Sequence, residues 1–245
     1  MNTTGKTILI TGGGAGIGLQ MARLFSEKGN KVIITGRTEN TLKEAAAKVP
    51  GLSYIVADVT SESDILGLAE QIEKNYPDLS VLINNAGQAF VHQSGEISGG
   101  FGKAQAEMLT NYLSVIRLSE KLLPVLGKQP EAAIVNVSSI AAFASNTVLT
   151  TYAASKAALH SYTQSLRIIL EKTSAIKVFE LMPPLVNTEF SKEIGGINGI
   201  APEEVAAALW DGLQNETYEI HVGKTAELYK IFLSSPQEAF RLMNA

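Results

Sequence analysis

The stretch that decides the fold is KTILITGGGAGIG, Lys6–Gly18. Its first half is a short β-branched apolar run of the kind that forms a buried strand. Its second half, Thr11–Gly18, is a glycine-rich turn, and the helical pattern from Ile17 to Lys28 follows. Glycine lets a backbone turn tightly and come close to a pyrophosphate, and the amides and dipole of the next helix then face the negative charge. The strand–turn–helix context gives the motif its weight, because a glycine-rich turn alone is weak. The spacing of Gly12, Gly16 and Gly18 is G-x-x-x-G-x-G, and no Lys-Ser/Thr follows as in a phosphate-binding P-loop.

The same alternation continues along the chain. Strand-like runs occur at Asn30–Gly36, Leu52–Val59, Ser80–Gly87, Ala132–Ser139, Ala175–Pro184 and Tyr218–Gly223. Helical patterns lie between them, including a long one over Lys103–Leu126, another over Thr151–Lys172, and PEEVAAALWDGL from Pro202. From Thr225 the chain reads as an amphipathic helix broken at Ser234-Ser235-Pro236. Nearly continuous apolar strands separated by helices predict a parallel sheet covered on both faces. Right-handed crossovers make it an α/β, doubly wound, mostly parallel Rossmann sheet of about seven strands. No linker or repeat divides residues 1–245, which therefore read as one domain. Two glycine-bearing stretches, Gln88–Gly102 and Glu193–Gly199, follow strand ends. They read as surface loops or as substrate loops, since ligands bind outside the carboxyl ends of such strands.

Composition narrows the function classes. Apolar residues make up 45 % and charged residues 18 %, which excludes disorder. A net charge of -4 with no basic stripe argues against nucleic acid as a partner. Cysteine is absent, so no disulfide framework or thiolate metal site exists, which fits a reducing cytoplasm. The amino end runs straight into a strand pattern with no signal peptide, and no run approaches the roughly 18 apolar residues of a membrane span. Three histidines, His92, His160 and His221, show no ligand spacing, so no metal is expected. His160 reads as a packed helix residue, and His92 stands in a loop bordering the crevice.

The end of the second strand reads Thr35-Gly36-Arg37-Thr38. A carboxylate there would bind the ribose 2′-hydroxyl of NAD, whereas an arginine accommodates the 2′-phosphate of NADP. Arg37 offers a planar fork of donors, so NADP(H) is expected in preference to NAD(H). The alternative is a solvated arginine paired to Glu39 or Glu44.

The pattern as a whole resembles the short-chain dehydrogenase/reductase family. The matching pieces are TGGGAGIG, Asp58-Val59, NNAG at Asn84–Gly87, Asn111, Ser139, YAASK at Tyr152–Lys156, and Pro183–Thr188. Within the family, ITGGGAGIG, IITGR, QPEAAIVNVSS, KAALHS and MPPLVNTEF are similar to the oxidoreductase branch encoded with the lipoteichoic acid D-alanylation genes. The resemblance implies that Gly12, Gly16, Ile17 and Gly18 cradle the pyrophosphate. It implies that Asp58, with Val59, binds the adenine, that Asn85, Ala86 and Gly87 line the cofactor, and that Val186 and Thr188 hold the nicotinamide carboxamide. It makes Ser139, Tyr152 and Lys156 catalytic, with Asn111 supporting a water chain to Lys156. The family's usual Pro-Gly is Pro183-Pro184 here, and proline fixes φ and removes an amide. The helical tail replaces a short ending common in the family.

Tyr152 and Lys156 stand at i and i+4, on one face of a helix. A neighbouring cation favours the phenolate, so the spacing predicts a tyrosine pKa below its usual value of about 10. Tyr152 is then the general acid/base, Lys156 also donates to ribose hydroxyls, and Ser139 binds the substrate oxygen. The function implied is hydride transfer between NADP(H) and a small alcohol or carbonyl substrate. A nucleotide sensor or scaffold without turnover is the competing class; an epimerase or dehydratase that uses the cofactor transiently is a third. Phe90, Phe101, Phe143 and Phe190 fall near the expected crevice, as core or as an apolar substrate wall. Apolar residues on more than one face of the fourth helix, from Met108 to Leu122, predict a homo-oligomer, a dimer or a tetramer.

Overall fold

A computed structural model describes residues 1–92 and 99–245. Seven parallel strands form one sheet in the order β3-β2-β1-β4-β5-β6-β7. They are β1 (Thr7–Thr11), β2 (Lys31–Gly36), β3 (Ser53–Val56), β4 (Leu79–Asn84), β5 (Ala132–Val137), β6 (Ile176–Met182) and β7 (Glu219–His221). Helices α1 (Gly16–Glu27), α2 (Glu39–Lys48) and α3 (Glu62–Asn75) connect the first strands. Helices α4 (Gly100–Met108), α5 (Ser114–Leu126), α6 (Thr150–Thr173), α7 (Pro202–Gln214), α8 (Lys224–Ser234) and α9 (Pro236–Met243) follow. The strand order reverses between β1 and β4, which opens a crevice at their carboxyl ends.

Strand periodicity of two builds the core. Ile8 and Ile10 of β1 join Met21, Phe25, Leu209 and Trp210 under α1 and α7. Leu9, between them, faces the other way and joins Ile65, Leu68, Leu118, Leu122 and Leu166 under α3, α5 and α6. Each such side chain stabilises the fold by about 1.5–3 kcal/mol relative to exposure. Both faces are thus apolar, and a carboxylate within a central strand needs a specific partner.

The long helix expected over Lys103–Leu126 departs from ideal geometry at one place. Leu109–Leu113 forms a π-helical turn between α4 and α5, with Asn111 buried inside it. Such turns widen the helix by one residue and are frequent at functional sites. Nothing in the sequence LTNYL marks it by propensity. The strand expected over Leu52–Val59 is shorter, ending at Val56, because Ala57–Val59 turns toward α3 after one bond from Ala57 N to Gly36 O. The break at Ser234-Ser235-Pro236 is where α8 gives way to α9, with the Ser235 hydroxyl accepting from Glu238 N. No helix among the described residues is long and apolar enough to cross a membrane.

Candidate active site

The glycine turn sits at the crevice because its amides are tied to the neighbouring strand. Gly12 N and Gly13 N both donate to Thr35 O of β2, at 2.8 and 3.3 Å. Gly12 and Gly16 have φ of +64° and +52°, values that favour glycine. A β-carbon on Gly18 would stand 2.3 Å from Gly12 O, so the turn and helix pack backbone to backbone. Helix α1 begins after Ala15, whose methyl group cannot cap it, and its first turn carries no acid. Its first amides therefore have only the cleft to face.

That cleft has a volume of about 670 Å³. Gly12, Gly16, Ile17 and Gly18 of the turn line it, as do Asn85, Ala86 and Gly87 after β4 and Val186 and Thr188 after β6. Ser139, Tyr152 and Lys156 line it as well. Asn85 holds the glycine turn, with its side-chain amide donating to Thr11 O and Gly12 O at 2.9 and 3.2 Å. Arg37, Asp58 and Val59 stand outside the cleft wall, at the carboxyl ends of β2 and β3. Arg37 is exposed and makes no ion pair with a described residue; Glu39 instead pairs with Lys43 at 3.0 Å. Asp58 uses Oδ1 to accept from Thr60 N and Oγ1 at 2.8 and 2.7 Å.

Asn111 also lies behind the cleft wall. Its Oδ1 accepts from Gln88 N and its Nδ2 donates to Gln88 O and to Ser155 Oγ, each at 2.8 Å. A β-carbon on Gly87 would fall 3.4 Å from Asn111 Oδ1 and 3.8 Å from Lys156 Nζ, so glycine there keeps a small space open to both.

The tyrosine–lysine pair differs from the expectation. Tyr152 is 8 % exposed and Lys156 3 %. Lys156 Nζ lies 5.7 Å from the centroid of the Tyr152 ring and donates to Val137 O at 2.7 Å. Burial pushes the Tyr152 phenol up to about 12; the nearby Ser139 hydroxyl opposes that shift and the charge of Glu107 adds to it. Burial brings Lys156 down to about 8, opposed by the charge of Glu180. The sequence places the two side chains on one face, but desolvation outweighs the cation at this distance. In the protein alone, Tyr152 is a protonated acid at neutral pH.

The phenylalanines separate. Phe190 lines the cleft with its ring 6.3 Å from that of Tyr152. Phe143 is packed instead among His160, His221, Tyr229 and Phe232. Phe101 is 79 % exposed on α4, and Phe90 lies outside the cleft lining. Of the two glycine-bearing loops, Glu193 and Ile194 reach the cleft; 93–98 of the other lie outside the described residues. His92 is buried, with Nε2 2.8 Å from Thr151 Oγ1. Among the described residues no three metal-ligating side chains cluster.

Residues 6–196, which hold the glycine turn, the buried Ser139 and the Tyr152–Lys156 pair, match a family model described as short chain dehydrogenase. The chain belongs to the short-chain dehydrogenase family. It is 40 % identical over 228 residues to the uncharacterized oxidoreductase DltE of Bacillus subtilis, covering 90 % of this chain and 89 % of that one. It is 31 % identical over 236 residues to a fatty acyl-CoA reductase of Acinetobacter baylyi, covering 93 % and 80 %. A short-chain dehydrogenase of Burkholderia cenocepacia, solved with NADP, shares the fold with a TM-score of 0.88 at 24 % identity over the whole of both chains. One from Burkholderia phymatum, solved with NAD, shares it with 0.86 at 20 % identity, over 100 % of this chain and 97 % of that one.

Two carboxylates of this short-chain dehydrogenase escape the sequence reading. Glu180, in the middle of β6, is 0 % exposed. Its Oε1 accepts from Ser138 Oγ, and its Oε2 lies 2.9 Å from His160 Nδ1, whose pKa it raises. Glu107, also 0 % exposed, accepts from Phe90 N at 2.7 Å. One turn apart on the same helical run, Lys103, Glu107 and Asn111 hold Val91 O, Phe90 N and the Gln88 peptide. The signal for Glu180 is an acid in a strand buried on both faces, because such a charge is costly without partners.

Glu180→Gln is expected to move the titration of Lys156 to lower pH. Lys156 is charged below about 8 and neutral above it, and Glu180 is what opposes the downward shift. Loss of that negative charge leaves burial less opposed, so the ammonium gives up its proton earlier as pH rises. Tyr152 is neutral over that range, and His160, whose pKa Glu180 raises, holds its proton less in the variant and so adds no new charge beside Lys156. Nitrogen NMR of the lysine in wild type and variant measures the midpoint; an unchanged midpoint contradicts the role given to Glu180.

Proposed function

We propose that the chain is an NADP(H)-dependent oxidoreductase for small alcohol and carbonyl compounds, with Tyr152 as general acid/base. The observation that carries this reading is the meeting of Ser139, Tyr152 and Lys156 in one cleft that the uncapped start of α1 also borders.

The residues fit a dinucleotide. A β-carbon on Gly12 would stand 3.0 Å from Ala86 Cα, and one on Gly16 would stand 3.3 Å from Thr188 Cγ2. Glycine thus lets the turn pack close to Ala86 and Thr188, and the same turn lines the cleft with the positive end of α1 behind it, as a pyrophosphate would need. Val186 and Thr188 would face the nicotinamide and Asp58, with Val59, the adenine. Exposed Arg37 would meet a 2′-phosphate, the basis for preferring NADP(H) to NAD(H).

When bound, the cofactor supplies a hydride to the carbonyl carbon in reduction or accepts it in oxidation. Ser139 Oγ donates a hydrogen bond to the substrate oxygen and holds it beside Tyr152. Tyr152 Oη gives that oxygen a proton in reduction and takes it back in oxidation. A buried phenol that keeps its proton to about 12 is in the right state for the first direction. Lys156 is held by Val137 O and can share its remaining hydrogens with ribose hydroxyls and with the space beside Gly87, onto which Asn111 also opens. That space suits a water relaying protons from Lys156.

Consumption of reduced cofactor against a panel of aldehydes and ketones tests the reading. Turnover supports it. Tight cofactor binding with no consumption on any carbonyl favours a sensor or scaffold, and product formation without net cofactor change favours an epimerase or dehydratase.

The chain is expected to work as a homo-oligomer. Val115 and Leu122 face the core, but Leu113 beside them and Ile168 and Ile169 on α6 are exposed. The π turn and α6 adjoin, since Tyr112 and Tyr162 meet edge-on with centroids 6.1 Å apart. Light scattering at micromolar concentration should give a dimer or tetramer mass; a single-subunit mass counts against it.

A further inference from the structure

We infer that the substrate is a neutral, apolar carbonyl compound, and that the carboxyl-terminal tail closes the far end of its pocket through Met243. This rests on the oxidoreductase reading and names the substrate class for the same site.

Beyond Tyr152, away from the glycine turn, the wall is made by Ile140, Ala141, Val148, Leu149, Phe190 and Met243. The polar groups there are committed elsewhere. Asn146 donates from Nδ2 to Met243 O at 2.7 Å and accepts at Oδ1 from Val148 N and Leu149 N. Apart from the carboxylates of Glu189 and Glu193, what remains to bind a substrate atom is Ser139 and Tyr152, both at the carbonyl position.

Charge in the cleft excludes an anionic substrate end. Among the described residues Lys156 is the one lysine or arginine that lines it, and Lys156 is buried against Val137 O. The carboxylates Glu189 and Glu193 stand on the same rim, and Lys192, beside them, is paired to Glu189 at 3.0 Å. A carboxylate or phosphate carried into this end would leave water, gain no cation beyond buried Lys156 among the described lining residues, and meet the carboxylate of Glu193.

The tail is built into the site. Thr147 N donates to Asn244 Oδ1 at 2.8 Å, and Asn244 Nδ2 donates to Ser145 O at 3.1 Å. These bonds, with that from Asn146, fasten the end of α9 to the segment leading into α6 and Tyr152. Met243 then packs against the cluster of Ala141, Tyr152 and Ala153. A flexible thioether in that place fills a gap and sets how far a substrate can extend.

The test compares benzaldehyde, para-formylbenzoate and the methyl ester of the latter as substrates with NADPH. Binding is read separately, without turnover, from the thermal shift given by benzamide and by benzoate. The neutral ester should be favoured over its carboxylate by about tenfold or more in kcat/KM, the scale of one unpaired charge penalty. Benzamide should raise the melting temperature more than benzoate. Carboxylates used or bound as well as their neutral partners overturn the inference, as does failure of both ligand types to bind. Binding preference for benzamide with no turnover of any carbonyl sustains the pocket class and sinks the oxidoreductase reading instead. Met243→Ala should raise kcat/KM for naphthaldehyde relative to benzaldehyde several-fold, while Met243→Leu, of similar volume, keeps the wild-type order. Equal effects of Met243→Ala on both aldehydes overturn the part assigned to the tail.

Discussion

Tyr152→Phe is expected to keep the fold and cofactor affinity and to lose turnover by about a hundredfold to ten-thousandfold, the usual worth of general acid–base catalysis. The ring is buried in a small cluster with Ala141 and Ala153, and phenylalanine fills the same volume. What disappears is one oxygen, the group whose proton burial holds up to about 12. That loss corresponds to about 3–5 kcal/mol of transition-state stabilisation. Steady-state kinetics on any carbonyl that the wild type reduces will measure it, together with a cofactor titration. Near-normal turnover would show that another group delivers the proton.

Arg37→Ala should weaken NADPH binding by about tenfold to a hundredfold and leave NADH almost unchanged. A hydrogen bond to a charged group is worth roughly 1.5–3 kcal/mol, and each 1.4 kcal/mol is tenfold in affinity. Arg37 follows the carboxyl end of β2, and Glu39, one of its two candidate partners, is engaged by Lys43. Gly36 presents no acid that would repel a phosphate. Titrations of both cofactors on both proteins at one ionic strength decide the matter, since surface phosphate contacts are screened by salt. Equal affinities of the wild type for NADPH and NADH, or an equal loss for both in the variant, remove the case for an NADP enzyme.

The fold was legible because its signals are local. A β-branched strand emptying into Thr11–Gly18 and a helix states the first βα unit outright, and the alternation of apolar runs extends it to seven strands. The shared face of Tyr152 and Lys156 follows from helical spacing alone. Their electrostatics did not follow, because a pKa depends on burial and on a distance that spacing does not contain. Lys156 reaches past the tyrosine to Val137 O, a contact between α6 and β5. Glu180 left a readable trace, an acid inside an apolar parallel strand, whose meaning depends on knowing that Ser138 and His160 meet it. The π turn around Asn111 and the return of Met243 to the cleft left none, since both are set by tertiary packing. A tail residue 91 positions after Tyr152 carries no local mark of a neighbour so far back along the chain.

The most direct test of hydride transfer is to supply NADPH carrying deuterium at the transferable position of the nicotinamide and to locate the label in the product. Hydride transfer to the carbonyl carbon predicts one deuterium on the carbinol carbon of each alcohol formed and one oxidised cofactor per alcohol. Unlabelled alcohol, or a product formed with no net oxidation of the cofactor, would contradict it.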